Sequence, residues 1–478
     1  MGGARAELGA AERAAAIGRL CDFYLRSTTA AAQVLYPNMQ RLPLPERLAA
    51  PAGVAGRDTG VAFAGHTDAL NWLETERANL VTTVTWAAGH EQREAAWLIA
   101  DAMRGYFWMR RYAADWLAVA EAGLAAAAAG LAAGGPGDDR ERMAMAAAHI
   151  SLAQAKRWLT RYDAAADHLE RAAALAGRAE WQQGAAAAFG SLANVYRDQG
   201  RMAESADNHR RALEVYRATG GRGGEATSLV NLGNVLLETG NAADAVKHLT
   251  QALVIYREIG ARAAEGNVLN SLGCAHLIQG TPEEARRYLD GALAVHRETG
   301  SREGEADDLS NLAELHIDTG QLDRARELAM ASLVLARESG ERRIEIDANN
   351  ALGTAARQAG DLATAFRHHQ EALKYAAEAG YRQGEAVALT GLAQDQAGLG
   401  EYDAAATTAL QALGVARQTR LRLLEGHALV ALASISLDRG QRADARAHAT
   451  AALAVHREAG HVPGRARAER LLELLAET

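Results

Sequence analysis

Large and small apolar residues in this chain recur every forty positions over residues 141–460. Leucine stands at Leu152, Leu192, Leu232, Leu272, Leu312, Leu352, Leu392 and Leu432, and the next residue is Ala or Gly each time. A second column holds Ala245, Ala285, Ala325, Ala365, Ala405 and Ala445. A third holds Ala212, Ala252, Ala292, Ala372, Ala412 and Ala452, each followed by leucine. A small residue beside a large one lets a neighbouring helix come close while the leucine fills the gap, so these columns predict close-packed helix pairs. Two glycine ladders mark where the helices stop. One runs unbroken from Gly200 to Gly440 at intervals of forty; the other, offset by twenty, runs from Gly220 to Gly460 with Arg420 in one place. Glycine just past a helix C-terminus takes the left-handed conformation that other residues resist, so two ladders predict two helices of about 16–17 residues per repeat. Start signals agree. Thr281, Pro282 and Glu284 read as N-cap, first turn and capping-box partner, and Asn241 and Asp361 hold the same N-cap column.

Charge changes the picture only by exclusion. The 51 basic and 59 acidic residues leave a net charge of −8, and the only lysines are Lys156, Lys247 and Lys374. No basic stripe follows the repeats, so direct nucleic-acid binding is not expected. No uncharged apolar run approaches the ~20 residues of a membrane span. The N-terminal "MGGARAELGAAERAAAIGRL" is interrupted by charges, unlike a secretory signal. The two cysteines, Cys21 and Cys274, lie in unrelated contexts and suggest a reducing compartment, and the expectation is a cytoplasmic protein with no membrane contact.

Leu-Gly in the first helix of a pair and two alanines seven apart in the second resemble the tetratricopeptide repeat (TPR), over eight units at 141–460. The resemblance implies an all-α, right-handed superhelix. A forty-residue period in place of the usual 34 would lengthen the helices by roughly 9 Å in total. One helix pair cannot bury both faces, and stacking buries them against like neighbours. Residues 461–478, ending "GRARAERLLELLAET", read as an amphipathic capping helix. Residues 66–140 read as degenerate helical repeats crowded with Trp72, Trp86, Trp97, Trp108 and Trp116, with "AAGGPGDD" (132–139) as a joint.

Residues 1–65 read as a helical or linker remnant. "RLCDFYLRSTTAAAQVLYPNMQRLPLP" (19–45) and "ALNWLETERANLV" (69–81) resemble the junction behind the ATPase and winged-helix segments of AfsR-like, SARP-type STAND regulators of actinomycetes. That resemblance implies a C-terminal TPR sensor arm acting in transcriptional or signalling control, with a STAND ATPase or transcription regulator as a partner. No GxxxxGK[ST] phosphate loop occurs, so the arm is expected to be detached from its ATPase or to stand alone.

Uniform columns point to structure. Glu225, Glu265, Glu305, Glu345, Glu385 and Glu425 lie three residues after the arginines Arg222 to Arg422, and a further ladder runs from Arg217 to Arg457. These read as surface ion pairs and helix-dipole charges. His276 with His316, His296 with His456, and His368–His369 read as packing residues, since column-mates one repeat apart cannot share an ion. Variable columns point to recognition. In TPRs the first helix of each pair lines the concave face, and the inward positions here include Asn194, Asn234, Asn267, Asn270, Asp307, Glu314, Asp347, Asn350, Gln394 and His427. Asparagine both donates and accepts, so it can hold a peptide backbone. Asp307, Glu314, Asp318 and Asp347 would favour a partner with basic residues. No nucleophile–base, metal or cofactor constellation stands out. The expectation is a non-catalytic peptide- or protein-binding module. A small-ligand sensor, or a scaffold binding through its convex or N-terminal surface, is the alternative.

Overall fold

The structure is a computed structural model that describes residues 10–36, 39–45, 60–134 and 138–477. Pro37, Pro51 and the centre of the 132–139 joint lie outside the described residues. Twenty-one α-helices and no strand occur among the described residues. They are α1 (Ala10–Leu35), α2 (His66–Ala88), α3 (Arg93–Arg110), α4 (Ala113–Ala133), α5 (Asp138–Trp158), α6 (Tyr162–Arg178), α7 (Gln182–Asp198) and α8 (Met202–Thr219). There follow α9 (Arg222–Glu238), α10 (Ala242–Glu258), α11 (Arg262–Gln279), α12 (Pro282–Thr299), α13 (Arg302–Asp318) and α14 (Leu322–Ser339). The last seven are α15 (Arg342–Gln358), α16 (Leu362–Ala379), α17 (Arg382–Gly398), α18 (Tyr402–Gln418), α19 (Arg422–Asp438), α20 (Arg442–Glu458) and α21 (Val462–Ala476). The chain divides into two compact units, Met1–Gly224 and Glu225–Thr478.

In the first unit, α1 packs on α2 and α3 and buries Cys21, Leu25 and Ala31 with Leu73, Leu80, Ile99 and Met103. The segment after α1 is pinned by a buried acid: the Leu42 N–H donates to Asp101 Oδ2 (2.8 Å), and Asp101 lies 3.6 Å from Arg104. The Tyr36 hydroxyl donates to the Ala102 carbonyl (2.6 Å). Trp116 is core, its indole N–H donating to Ser151 Oγ (2.9 Å). One helix, α4, is long and apolar enough to cross a membrane by length and composition. It carries Asp115 and Glu121, and it packs Trp116, Val119, Ala126 and Ala127 into the core between α3 and α5.

The repeat columns behave as packing columns. All eight leucines from Leu152 to Leu432 are no more than 5% exposed, and the alanines from Ala245 to Ala445 and from Ala212 to Ala452 are fully buried. Ser332 stands where the third column lacks alanine, and its hydroxyl donates to the Ala306 carbonyl on the first helix of the same pair (2.7 Å). Both glycine ladders are left-handed, but Arg420 (φ 58°), Thr160 (φ 57°) and Glu180 (φ 51°) take the same turn without glycine. The fold therefore dictates the turn, and glycine only relieves it. Asn241 and Asp361 accept from Asp244 N–H and Thr364 N–H as N-caps. Thr281 does not: its hydroxyl bonds the His276 carbonyl and ring instead, so the expected capping box is absent.

The acidic column is more than surface charge. Glu265, Glu345 and Glu425 are nearly buried, and each takes two arginines: Arg257, Arg337 or Arg417 from the preceding helix at 2.7–2.9 Å, and Arg262, Arg342 or Arg422 from its own. This clasp ties the end of one pair to the start of the next. The second unit also closes on itself. Helix α21 returns to α11, Val462 sits over Gly280, and Arg467 reaches Asp318 at 2.6 Å.

Candidate functional site

The first helices of the pairs in the second unit, α9, α11, α13, α15, α17 and α19, supply the inward columns, and neighbours among α11 to α19 touch one another directly. Their contacts cross from repeat to repeat. Asn270 on α11 donates to Asp308 Oδ1 on α13 (2.6 Å), and His296 Nδ1 meets Asp308 Oδ2 (2.6 Å). His296 Nε2 lies 3.1 Å from Asn267 Oδ1. Asn270 Oδ1 accepts from Asn311 (3.3 Å) and from the Cys274 thiol (3.8 Å). Burial, with Asp307 and Glu314 nearby, raises the Cys274 pKa far enough to keep the group a thiol. Asn270 and Asn267 are thus committed to a buried network.

One repeat further, Arg343 bridges two acids: its guanidinium donates to Asp307 (2.9 Å) and Asp347 (3.4 Å), and the Tyr381 hydroxyl donates to Asp347 (3.4 Å). Surrounding protein pushes Asp347 up, reinforced by Glu314 and Asp307 and opposed by Arg343. Asp318 is taken by Arg467. Three of the four acids proposed to attract a basic partner therefore already hold an arginine. Glu314 makes no hydrogen bond or ion pair among the described residues. Although its side chain is open to solvent, desolvation by the surrounding protein, then Asp318 and Asp307, lifts it to about 7.

Asn350 is buried and donates weakly to the Gly384 carbonyl (3.4 Å), while its Oδ1 has no partner among the described residues. Asn234 and Gln394 are half-buried on α9 and α17. Asn194 is half-buried on α7, in the first unit. A buried triad missed in the sequence lies on α15–α17: His369 Nδ1 is 2.6 Å from Asp395 Oδ2, and Arg357 approaches Asp395 Oδ1 at 3.5 Å. His369 shares its column with His209 and otherwise with Leu or Ala, and Asp395 replaces residues that are Ala, Val, Leu or Ile in the other repeats, a departure that the sequence does display.

In the first unit Trp108 and Trp158 are about half exposed, at 47% and 49%. The Arg111 guanidinium lies 5.1 Å from the Trp108 ring and 4.3 Å from the Trp158 ring.

A family model described as "Tetratricopeptide repeat" matches residues 184–258 and 264–338. Among solved structures, the chain is similar to a Rap protein complexed with competence and sporulation factor, at 14% identity over 72% of this chain and 99% of that one, with TM-score 0.50. It is similar to a Rap conjugation gene regulator in complex with the Phr* peptide, at 13% identity over 72% and 95%, with TM-score 0.51. It is also similar to the apo form of the quorum sensor NprR from B. thuringiensis, at 13% identity over 73% and 99%, with TM-score 0.51. At these identities the likeness shows the fold alone. No curated protein matches the sequence.

Proposed function

We infer that the chain is a solenoid of tetratricopeptide-like helix pairs presenting a peptide- or protein-binding surface, a reading supported by the family match over residues 184–258 and 264–338. We propose that the concave face of the second unit binds a segment of a partner protein, and that the chain acts as a sensor or regulatory arm in transcriptional or signalling control. The observation that carries this reading is the set of polar groups left unsatisfied there. Asn350 Oδ1 is a buried orphan acceptor, and Glu314 is a solvent-exposed carboxyl with no ion pair among the described residues. A buried polar group without a partner costs about 1–3 kcal/mol, and a ligand that supplies the missing donor recovers it. An N–H from a peptide backbone suits Asn350, and a lysine or arginine suits Glu314. The Rap conjugation gene regulator in complex with the Phr* peptide supports the peptide class, and the STAND-like junction motifs support a regulator as the partner.

Capture from cytoplasm on the intact chain, followed by titration of the captured segment, tests it. Asn234→Ala with Asn350→Ala and Glu314→Gln should weaken binding tenfold or more with helical content unchanged. Exposed Val254 and Leu410, on the second helices of their pairs, should tolerate change to serine. The Trp108–Arg111–Trp158 surface supports a second reading, because half-exposed tryptophan and arginine are the residues that dominate protein interfaces. Loss of the partner on Trp108→Ala, with the triple variant binding normally, would move the interface there.

A further inference from the structure

Two repeats place a histidine in the same buried position of the second helix, His296 and His456. Both rings fit where glycine removes side chains on either side, Gly266 and Gly304 for the first and Gly426 and Gly464 for the second. The polar settings differ. His296 has Asp308 on one nitrogen and Asn267 on the other. For His456 the residue at the Asp308 position is Ala468, and the residue at the Asn267 position is His427. Neither nitrogen of His456, nor Nε2 of His427, has a hydrogen-bond partner among the described residues. The Gly426 backbone lies beside the His456 ring and only weakly favours its charged form. The third ring is His461, at the start of α21. Ring centroids are 5.3 Å apart for His427–His456 and 5.1 Å for each of the other two pairs. One nitrogen from each ring lies within 4.8 Å of the other two.

We propose that His427, His456 and His461 form a binding site for a divalent first-row metal ion of the zinc type. Three imidazoles with a fourth position left open is an established zinc donor set, and Zn–N distances of about 2.0–2.1 Å require the nitrogens to approach to about 3.3 Å. That closure is within reach of rotation about the side-chain bonds. Burial first, then neighbouring rings for His427 and His461 and Arg467 for all three, hold the rings neutral at physiological pH, with His456 lowered to about 4 and His461 to about 3. Neutral imidazole is the ligand form, so no proton need be displaced from a cation. Arg467 is the charged neighbour common to the three rings, and Asp318 holds its guanidinium.

Binding has a structural consequence. His461 Nδ1 accepts from the Gly464 N–H at 3.1 Å and so caps α21. A neutral ring has one lone pair to give. Whichever nitrogen takes the metal, the Gly464 N–H loses its acceptor, and the start of α21 must rearrange. Helix α21 packs against α11 as well as on the last repeat, so occupancy is coupled to the contact that closes the second unit.

The test is equilibrium dialysis of the full chain, stripped with chelator, against zinc and in parallel against cobalt, with metal analysis and visible absorption of the cobalt form. One ion per chain, a tetrahedral cobalt spectrum and a rise in Tm are expected. His427→Asn with Ala468→Asp rebuilds around His456 the pairing seen at His296. That variant should keep its helical content and lose at least tenfold in zinc affinity, whereas His276→Ala with His316→Ala should bind as the parent does. No stoichiometric zinc on the folded parent would overturn the proposal and leave the trio as packing residues. So would equal binding by the His427→Asn, Ala468→Asp variant.

Discussion

Asp308 offers the sharpest stability test. Its carboxylate is fully buried and takes Asn270 Nδ2 on one oxygen and His296 Nδ1 on the other, both at 2.6 Å. Asp308→Ala strands two buried donors, each worth about 1–3 kcal/mol when left unmet, so a total loss of about 2–6 kcal/mol is expected. Asp308→Asn keeps an acceptor for one donor and should lose less, about 1–2 kcal/mol. The sign of the pH dependence follows from His296. Burial alone would lower its pKa, but the hydrogen bond and charge of Asp308 outweigh burial and raise it. Burial also pushes Asp308 up against the pull of His296 and Asn270, which argues for a less charged pair. The short contact, with a second donor on the same carboxylate, favours the charged pair and the upward shift of His296. A histidine raised in the folded state contributes stability that is full below its unfolded pKa of about 6.5 and is lost as pH rises through the folded value.

The stability gap between parent and Asp308→Asn should therefore be widest near pH 6 and shrink at alkaline pH. Urea unfolding followed by circular dichroism gives the overall change. Amide exchange across α11–α13 localises it, because repeat arrays need not unfold in one step. A loss under about 0.5 kcal/mol for Asp308→Ala, the range of a neutral surface change, would refute the buried network. A gap that widened with pH would refute the charged pair.

Leu272→Ala should cost about 2–5 kcal/mol in chemical denaturation, since Leu272 is fully buried between helix pairs. Arg420→Gly should stabilise by about 0.5–1 kcal/mol by relieving a left-handed non-glycine residue, and an unchanged Tm would show that contacts of the arginine offset the strain. Glu314→Gln should raise Tm at pH 8 and leave it unchanged at pH 4. A carboxyl raised to about 7 destabilises the fold only where it ionises, and its openness to solvent limits the gain to the order of 1 kcal/mol.

The architecture was legible because each column meets the same neighbour forty residues on. Leu152 to Leu432 could be read as core, and the glycine ladders as turns, from spacing alone. The clasp on Glu265, Glu345 and Glu425 was half legible: the Arg262–Glu265 spacing is visible within one helix, but Arg257 acts across the intervening turn. Packing of α1 was hidden, since a helix without repeat partners carries no column to compare. The candidates read as inward lie on the first helices of their pairs, yet nothing about Asn267 or Asn270 singly reveals that His296 and Asp308 claim them. The metal candidate escaped because its three histidines occupy three different columns.

The irregular residues nevertheless follow a rule. His369 stands in a column that is Leu or Ala apart from His209, and it is met by Asp395, an exception in its own column, in the next repeat. His296 and Asn270 are met by Asp308, and Arg343 by Asp307 and Asp347. One departure from the repeat calls for a second, because a polar group inserted among packed helices is destabilising until a neighbour satisfies it. Departures that lack an answering residue cannot be accounted for by packing. Asn350 Oδ1, His427 Nε2 and both nitrogens of His456 and of His209 are of that kind among the described residues, while the exposed Glu314 carboxyl is left to water. Those on α15, α19 and α20, with Glu314 on α13, lie in the second unit, and there an external partner has something to contribute. A segment that paired Asn350 and Glu314 and an ion that joined the histidines would complete, from outside the chain, the compensation that the other exceptions achieve within it.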